Sequence, residues 1–397
     1  MRLFEGIKGG MKEFLFNRGW LRKEVSFYQA IAMIVGTTIG AGILGMPYAI
    51  SKVGLLFGVV IIVSVGCLAI GINLLVGEVS ARTMGNLQLV GLTRKYLGNK
   101  AGYFMMTIFY IQLFVILTIY IIGMGEIAAD FFIGSSFFWG LMLWTLGSFI
   151  VFRGIEAIKS VEFVLTITII FVVLILAVLA MPHIDLEFVK YSNPAAFFVP
   201  YGVVLFSFSG VGTIPAAYRL LHGKNEEFKL AIVSSSLVAM FVYIVFTALV
   251  IGVTGYNTTE IATLGLGEAV GRNMFYIANI FAFLAIMTSF IMLGMQLRDS
   301  MNWDFNFPYY RATAITLCVP LVIFLLGLRQ FVLAINIVGG IFMSTQMLIL
   351  VIVYWKAKRE GALDPVSYKL HHAVLISVIT LFVFSLGAVY SVYGILG

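Results

Sequence analysis

The sequence predicts an all-α integral membrane protein of about eleven transmembrane helices, and three observations predict it. Apolar residues make up 61% of the 397 and charged residues only 11%, far from the soluble averages of about 45–50% and about 25%. Apolar runs of about 18 residues or more, each able to cross a ~30 Å hydrocarbon core, follow one another with only short polar links. Lysine and arginine fall on alternate links, the pattern that the positive-inside rule gives for a correct span count. No stretch is left for a sizeable soluble domain.

The chain opens on a basic, amphipathic segment, residues 1–25, with Lys8, Lys12, Arg18, Arg22 and Lys23. It lacks the short apolar region and small-residue cleavage site of a signal peptide, so it reads as a cytoplasmic surface segment. Spans are expected at 26–51, 54–77, 101–129, 137–152, 161–181, 195–219, 230–254, 273–297, 312–328, 331–355 and 372–396. With a cytoplasmic N-terminus, the inner links carry 21 of the 25 basic residues, and only Lys52, Lys190, Arg272 and Arg329 fall outside. The expected location is therefore the cell (inner) membrane, with the C-terminus outside. The net charge of +7 then faces anionic lipid headgroups, so membrane lipids and not nucleic acid are the implied partners. No obligatory protein partner is evident. Cys67 and Cys318 lie in apolar runs and read as packed free thiols.

Span one contains Gly36-Thr-Thr-Ile-Gly40-Ala-Gly42-Ile-Leu-Gly45-Met-Pro47, a poor helix at mid-membrane. Backbone that leaves the helix there must be buried in protein or line a watery cavity, because lipid cannot satisfy its polar groups. A close-packing seam is the competing reading, and Gly36 to Gly40 has that spacing. It does not account for Gly42, Gly45 and Pro47 in the next two turns. Span six carries a weaker copy, Phe206-Ser-Phe-Ser-Gly210-Val-Gly212-Thr-Ile-Pro215, with the same five-residue interval from glycine to proline. The copies lie in spans one and six, an odd number of steps apart, so they cross the membrane in opposite senses. Interrupted helices at matching places in two inverted halves point to a secondary-transporter site at the bilayer midplane. The halves are expected at 26–181 and 195–355, with 371–397 as an extra span. At each break, one half-helix offers free N–H groups and the other bare carbonyls, which together suit a zwitterionic amino acid.

The stretch from Gly36 to Ala49 resembles the first-span signature of the amino acid/auxin permease family and its bacterial branch of aromatic amino acid permeases, within the amino acid/polyamine/organocation superfamily. Ala285-Ile-Met-Thr288-Ser289-Phe290-Ile-Met-Leu-Gly294 is similar to the eighth-span motif of that branch, and Phe206 to Tyr218 to its sixth-span motif. The resemblance implies a leucine-transporter-like five-plus-five inverted repeat with discontinuous first and sixth spans. It also implies a permease that imports a neutral amino acid, aromatic ones included, by alternating access. An exchanger or uniporter of the same fold is the alternative.

Residue by residue, the resemblance puts the substrate carboxylate at the N–H groups of Ala41 and Gly42, with Gly40 also among the substrate-binding residues. Its ammonium falls to the carbonyls of Thr37, Thr38, Phe206 and Ser207, with Ser209 adding a hydroxyl. Where relatives hold an aromatic side chain over the substrate, this chain has Gly212, which implies a roomier pocket. Ordinary packing is the competing reading for Phe206 and Phe208. Sodium-coupled relatives bind an ion between spans one and eight. The matching set is Gly36, Ile39, Ala285, Thr288 and Ser289, all oxygen donors suited to a hard cation; both hydroxyls could instead bond back to their own helix.

The lysine that some proton-coupled relatives place in span five is replaced by Ile169. A proton carrier needs an intramembrane ionisable group. Glu126 is the deepest plain carboxylate and stands as the proton-coupling candidate, with surface solvation as its alternative; Glu78 and Glu162 lie near span ends. The branch is mostly proton-coupled, which pulls against the oxygen set; sodium is the expected ion and a proton the alternative. A membrane enzyme would want a metal cluster, a nucleophile with a base, or a carboxylate pair, and a channel a filter or pore ring. Neither pattern is found in the sequence, and no enzyme and no further cofactor are expected.

Overall fold

The computed structural model describes residues 19–83, 85–153, 159–221, 223–327, 330–361, 368, 370 and 372–396. The expected basic N-terminal segment lies, for residues 1–18, outside them. Among the described residues, nine helices are long and apolar enough to cross a membrane. A bent pair, with its halves 51° apart, brings the count to ten, and the shorter apolar helix Tyr309–Leu325 stands where the ninth of the eleven expected spans was placed.

Span one is that bent pair: a first helix ends at Thr38 and a second, Ala41–Ser51, begins after the two residues Ile39 and Gly40. Span six is broken more widely, into Tyr201–Ser207, a 3-10 stretch Ser209–Thr213 and Ile214–Leu220. Pro215 sits in the first turn of that last helix, where its missing N–H costs nothing. The second half of span one packs on the first half of span six, and the remaining halves pack on each other, so the two breaks meet.

Unbroken helices surround this crossing. Span seven, Asn225–Thr254, lies against span one and span two (Leu55–Arg82). Span eight, Arg272–Phe305, lies against spans one, three (Asn99–Phe131), four (Ser136–Arg153), five (Lys159–Ala180) and nine. Span eleven, Ala373–Leu396, packs on span ten.

Three expectations need correction. Span eight runs about two turns beyond the expected end at residue 297, because the charges that seemed to end it are buried and paired. Arg298 binds Asp299 at 2.7 Å and donates to the Val151 carbonyl at 2.9 Å. Asp304 accepts from the Gln88 N–H and the Ser300 hydroxyl, each at 2.9 Å, and so pins the short helix Leu89–Leu97 to span eight. Cys67 and Cys318 are free thiols, but they are exposed on the outer face of the bundle and not packed. Span ten is a third irregular span: Phe331–Ile337 and Ser344–Glu360 are joined through a π-helical stretch, Val338–Met343. There Gly339 admits the backbone of span six at Gly202, and Gly340 admits the Ser391 side chain of span eleven.

Candidate functional site

Gly42 decides how closely the broken spans approach. A methyl group added there would stand 2.7 Å from Ser207 Cα, closer than carbon atoms pack. Gly210 makes the reciprocal approach, with its face against the Thr38 hydroxyl. Between these contacts lie the carbonyls that end one half-helix in each span and the N–H groups that begin the next. Thr37, Thr38, Ala41, Phe206, Ser207 and Ser209 are all buried, so the crossing is closed to both membrane faces.

Two tyrosines converge on it from neighbouring spans. Tyr243 of span seven donates to the Thr38 carbonyl at 2.7 Å and to the Ser207 carbonyl at 2.6 Å. A phenol has a single hydrogen to share between these two acceptors, so the pair retains capacity for another donor. The ring is steadied by Phe208, edge-on at 5.1 Å between centroids, which gives that phenylalanine a packing role. Tyr120 of span three is hydrogen-bonded to the Ser289 hydroxyl and to the Ala41 backbone amide. It therefore faces the opposite pole, where the second half of span one begins.

Span eight contributes Ser289, whose hydroxyl donates to the Gly36 carbonyl at 2.9 Å and lies 3.2 Å from that of Ile39. Three of the five oxygens expected around a cation are thereby brought together. The other two belong to Ala285, one turn back along span eight, and to Thr288, the residue before Ser289. The Thr288 hydroxyl bonds back to its own helix, to Leu284 O at 3.0 Å and Ala285 O at 3.1 Å. The hydroxyls of Thr37 and Thr38 do the same, to Met33 O and Ile34 O, so each already donates its hydrogen to its own helix.

The remaining expected residues are placed as follows. Phe206 is buried where span six packs on Gly339 of span ten. Gly40 lies between Tyr120 and Ser289: a Cβ there would be 2.6 Å from the phenol oxygen and 2.7 Å from the serine oxygen. Gly212 faces Gln296 of span eight, whose amide fills the room that the glycine leaves. Glu126 is half-buried and lies six residues beyond Tyr120, about 9 Å along the helix, so it is not brought into the crossing. Glu78 is paired with Arg82 at 2.8 Å and accepts from Tyr354, a structural assignment. Among the described residues, no group of three or more His, Cys, Asp or Glu side chains could hold a metal ion.

Sequence reasoning missed Tyr120, Tyr243 and Gln296. Their signal was a lone hydrogen-bonding side chain in an apolar run. In membrane spans that signal is shared with interfacial aromatics and ordinary packing.

Comparison with known proteins agrees with this architecture. The model of the tryptophan/tyrosine permease family matches residues 23–392. Tyrosine-specific transport system 1 of Haemophilus influenzae is 27% identical over 359 residues, covering 83% of this chain and 88% of the relative. Glutamine transporter 2 of Aliivibrio fischeri is 22% identical over 280 residues, covering 67% of this chain and 72% of the relative. Among solved structures, that of MhsT in complex with L-phenylalanine matches with a TM-score of 0.69. At 15% identity it covers 92% of this chain and 97% of that one, a likeness of fold.

Proposed function

The chain belongs to the tryptophan/tyrosine permease family, and from that premise we propose that it is a secondary active amino acid transporter, importing neutral amino acids with large, including aromatic, side chains. The observation that carries this reading is the crossing itself, with N–H groups and carbonyls of two broken helices held a few ångströms apart by Gly42 against Ser207. The ammonium goes to the Thr38 and Ser207 carbonyls, which Tyr243 can satisfy only in part because it has one hydrogen. The carboxylate goes to the start of Ala41–Ser51, where the positive end of the helix dipole favours an anion. There the Tyr120 hydroxyl, now on Ser289 and Ala41, turns to it. The relatives named for tyrosine and glutamine agree with an amino acid as cargo. Burial of every contact on both sides suits a carrier that opens to one face at a time.

The coupling ion assigned here is sodium, taken up by the carbonyls of Gly36, Ile39 and Ala285 with the hydroxyls of Thr288 and Ser289. Ser289 already bridges the two carbonyls of span one, which supports the set. One observation favours a proton instead: the Thr288 hydroxyl is engaged on its own helix, and a cation would require it to turn. In that second reading Glu126 is the carrier. The location is the inner membrane, with the N-terminus cytoplasmic, on the distribution of lysine and arginine.

Competition binding on the purified protein tests the reading. Tyrosine should displace labelled tyrosine at least about a hundredfold better than tyrosinamide or N-acetyltyrosine, each of which loses one charged pole. Equal competition by either would overturn it.

A further inference from the structure

We propose that Gln296 is a specificity-determining residue of the amino acid site, its carboxamide pairing with a hydrogen-bonding group at the far end of the substrate side chain, a phenol above all. The proposal rests on the reading of the crossing as an amino acid site.

Four observations carry it. Gln296 takes the place of the expected side chain at position 212: a Cβ on Gly212 would lie 2.6 Å from Gln296 Cδ and 3.0 Å from its Oε1. The residue is only 7% exposed, yet Oε1 is buried with no hydrogen-bond partner among the described residues. A buried amide oxygen left unpaired is costly. Around it is a small cavity of about 20 Å³ whose wall is part apolar, from Met33, Met292 and Met295, and part polar, from Gln88, Thr213 and Asp299. The Oε1 of Gln88, on the wall of the same cavity, is likewise unpaired among the described residues. Methionines are unbranched, yield readily and make favourable contacts with aromatic rings. Finally, Ser289, Met292 and Gln296 follow one another at helical spacing on a single face of span eight. Gln296 is thus two turns, about 10 Å, from the serine at the crossing.

A substrate held by its backbone at Thr38, Ala41 and Ser207 would send its side chain along this face, between the methionines, to the carboxamide. A phenylalanine ring would leave Oε1 buried and unpaired. A phenol pairs it, and because a phenol both donates and accepts, it also suits the amide turned by 180°.

The experiment is a competition series against labelled tyrosine, using tyrosine, phenylalanine and 4-methylphenylalanine, which has the shape of tyrosine without its hydroxyl. It is run on the purified wild type and on Gln296→Met, which keeps the volume and removes the polar group. The wild type should prefer tyrosine over both hydrocarbon rings by about tenfold or more. Q296M should bring the three within about threefold of one another, mainly through weaker tyrosine binding. A wild type that binds 4-methylphenylalanine as tightly as tyrosine overturns the proposal, with or without a well-folded variant. So does a Q296M protein with an unchanged preference. In both cases the amino acid reading survives, whereas binding of none of the three compounds would overturn that reading as well.

Discussion

Replacing Gly42 by alanine isolates the contact on which the site depends. The added methyl would stand 2.7 Å from Ser207 Cα and 2.9 Å from its Cβ. Neither atom can leave by a rotamer change, so spans one and six must part by about 0.7 Å to reach the 3.4 Å at which ordinary contact begins. Overpacking of this kind costs about 1–3 kcal/mol. The shift also stretches the Tyr243 bridge, now 2.7 and 2.6 Å, toward the limit of a hydrogen bond. Misplacement of a binding group by nearly 1 Å is expected to lower uptake roughly 10- to 100-fold. The sign is informative, because alanine is intrinsically the better helix residue by about 1 kcal/mol. Were Gly42 merely a weak point in a packed helix, G42A would stabilise the protein. Uptake into proteoliposomes and thermal unfolding of the purified variant decide between these. Uptake within twofold of wild type together with an equal or higher Tm would refute the close-approach account.

Tyr243→Phe should lower stability by about 1–3 kcal/mol, because the carbonyls of Thr38 and Ser207 lose their shared donor. Added amino acid should restore most of it through its ammonium, so the ligand-induced rise in Tm should exceed that of wild type; an unchanged Tm and an unchanged rise would count against the bridge. Ser289→Ala and Thr288→Val should each abolish sodium stimulation of uptake while leaving the proteins folded. Uptake that is sodium-independent in the wild type and survives both changes would sink the ion assignment. On the face where spans six and eight end, the Arg219 guanidinium lies 4.0 Å from the centre of the Trp303 ring, a contact worth about 0.5–2 kcal/mol. Arg219→Gln should therefore loosen that face. In a background with Cys67 and Cys318 replaced by serine, a cysteine introduced by Ala216→Cys should react roughly fivefold faster with an impermeant thiol reagent. An unchanged rate would show that the contact does not hold the face closed.

Much of the architecture was legible because membrane chemistry leaves few options. Long apolar runs must be helices, and a helix with Gly36, Gly40, Gly42, Gly45 and Pro47 in its middle must break where protein can cover it. The weaker copy at Gly210, Gly212 and Pro215 was readable for the same reason, and the structure breaks both spans there. The π-helical stretch in span ten was not, since Gly339 and Gly340 have no proline beside them. The partners of the crossing were hidden for a different reason. Tyr120, Tyr243 and Gln296 come from spans three, seven and eight, and a lone polar residue in an apolar helix carries no periodic signal of the face it takes. Position 212 shows the same gap: a glycine suggested open room, but the occupant, Gln296, lies 84 positions along the chain. Hydropathy also misjudged the end of span eight, because it treats Arg298 and Asp304 as if water had to solvate them, whereas neighbouring groups do so.

The most direct test of the whole account is uptake of labelled tyrosine into proteoliposomes holding the purified protein, with an imposed inward sodium gradient in one set and a proton gradient in the other. Concentrative uptake driven by sodium, competed by unlabelled tyrosine and lost in Gly42→Ala, is the predicted result. Absence of uptake under both gradients from protein that is folded and inserted would contradict the transporter reading itself.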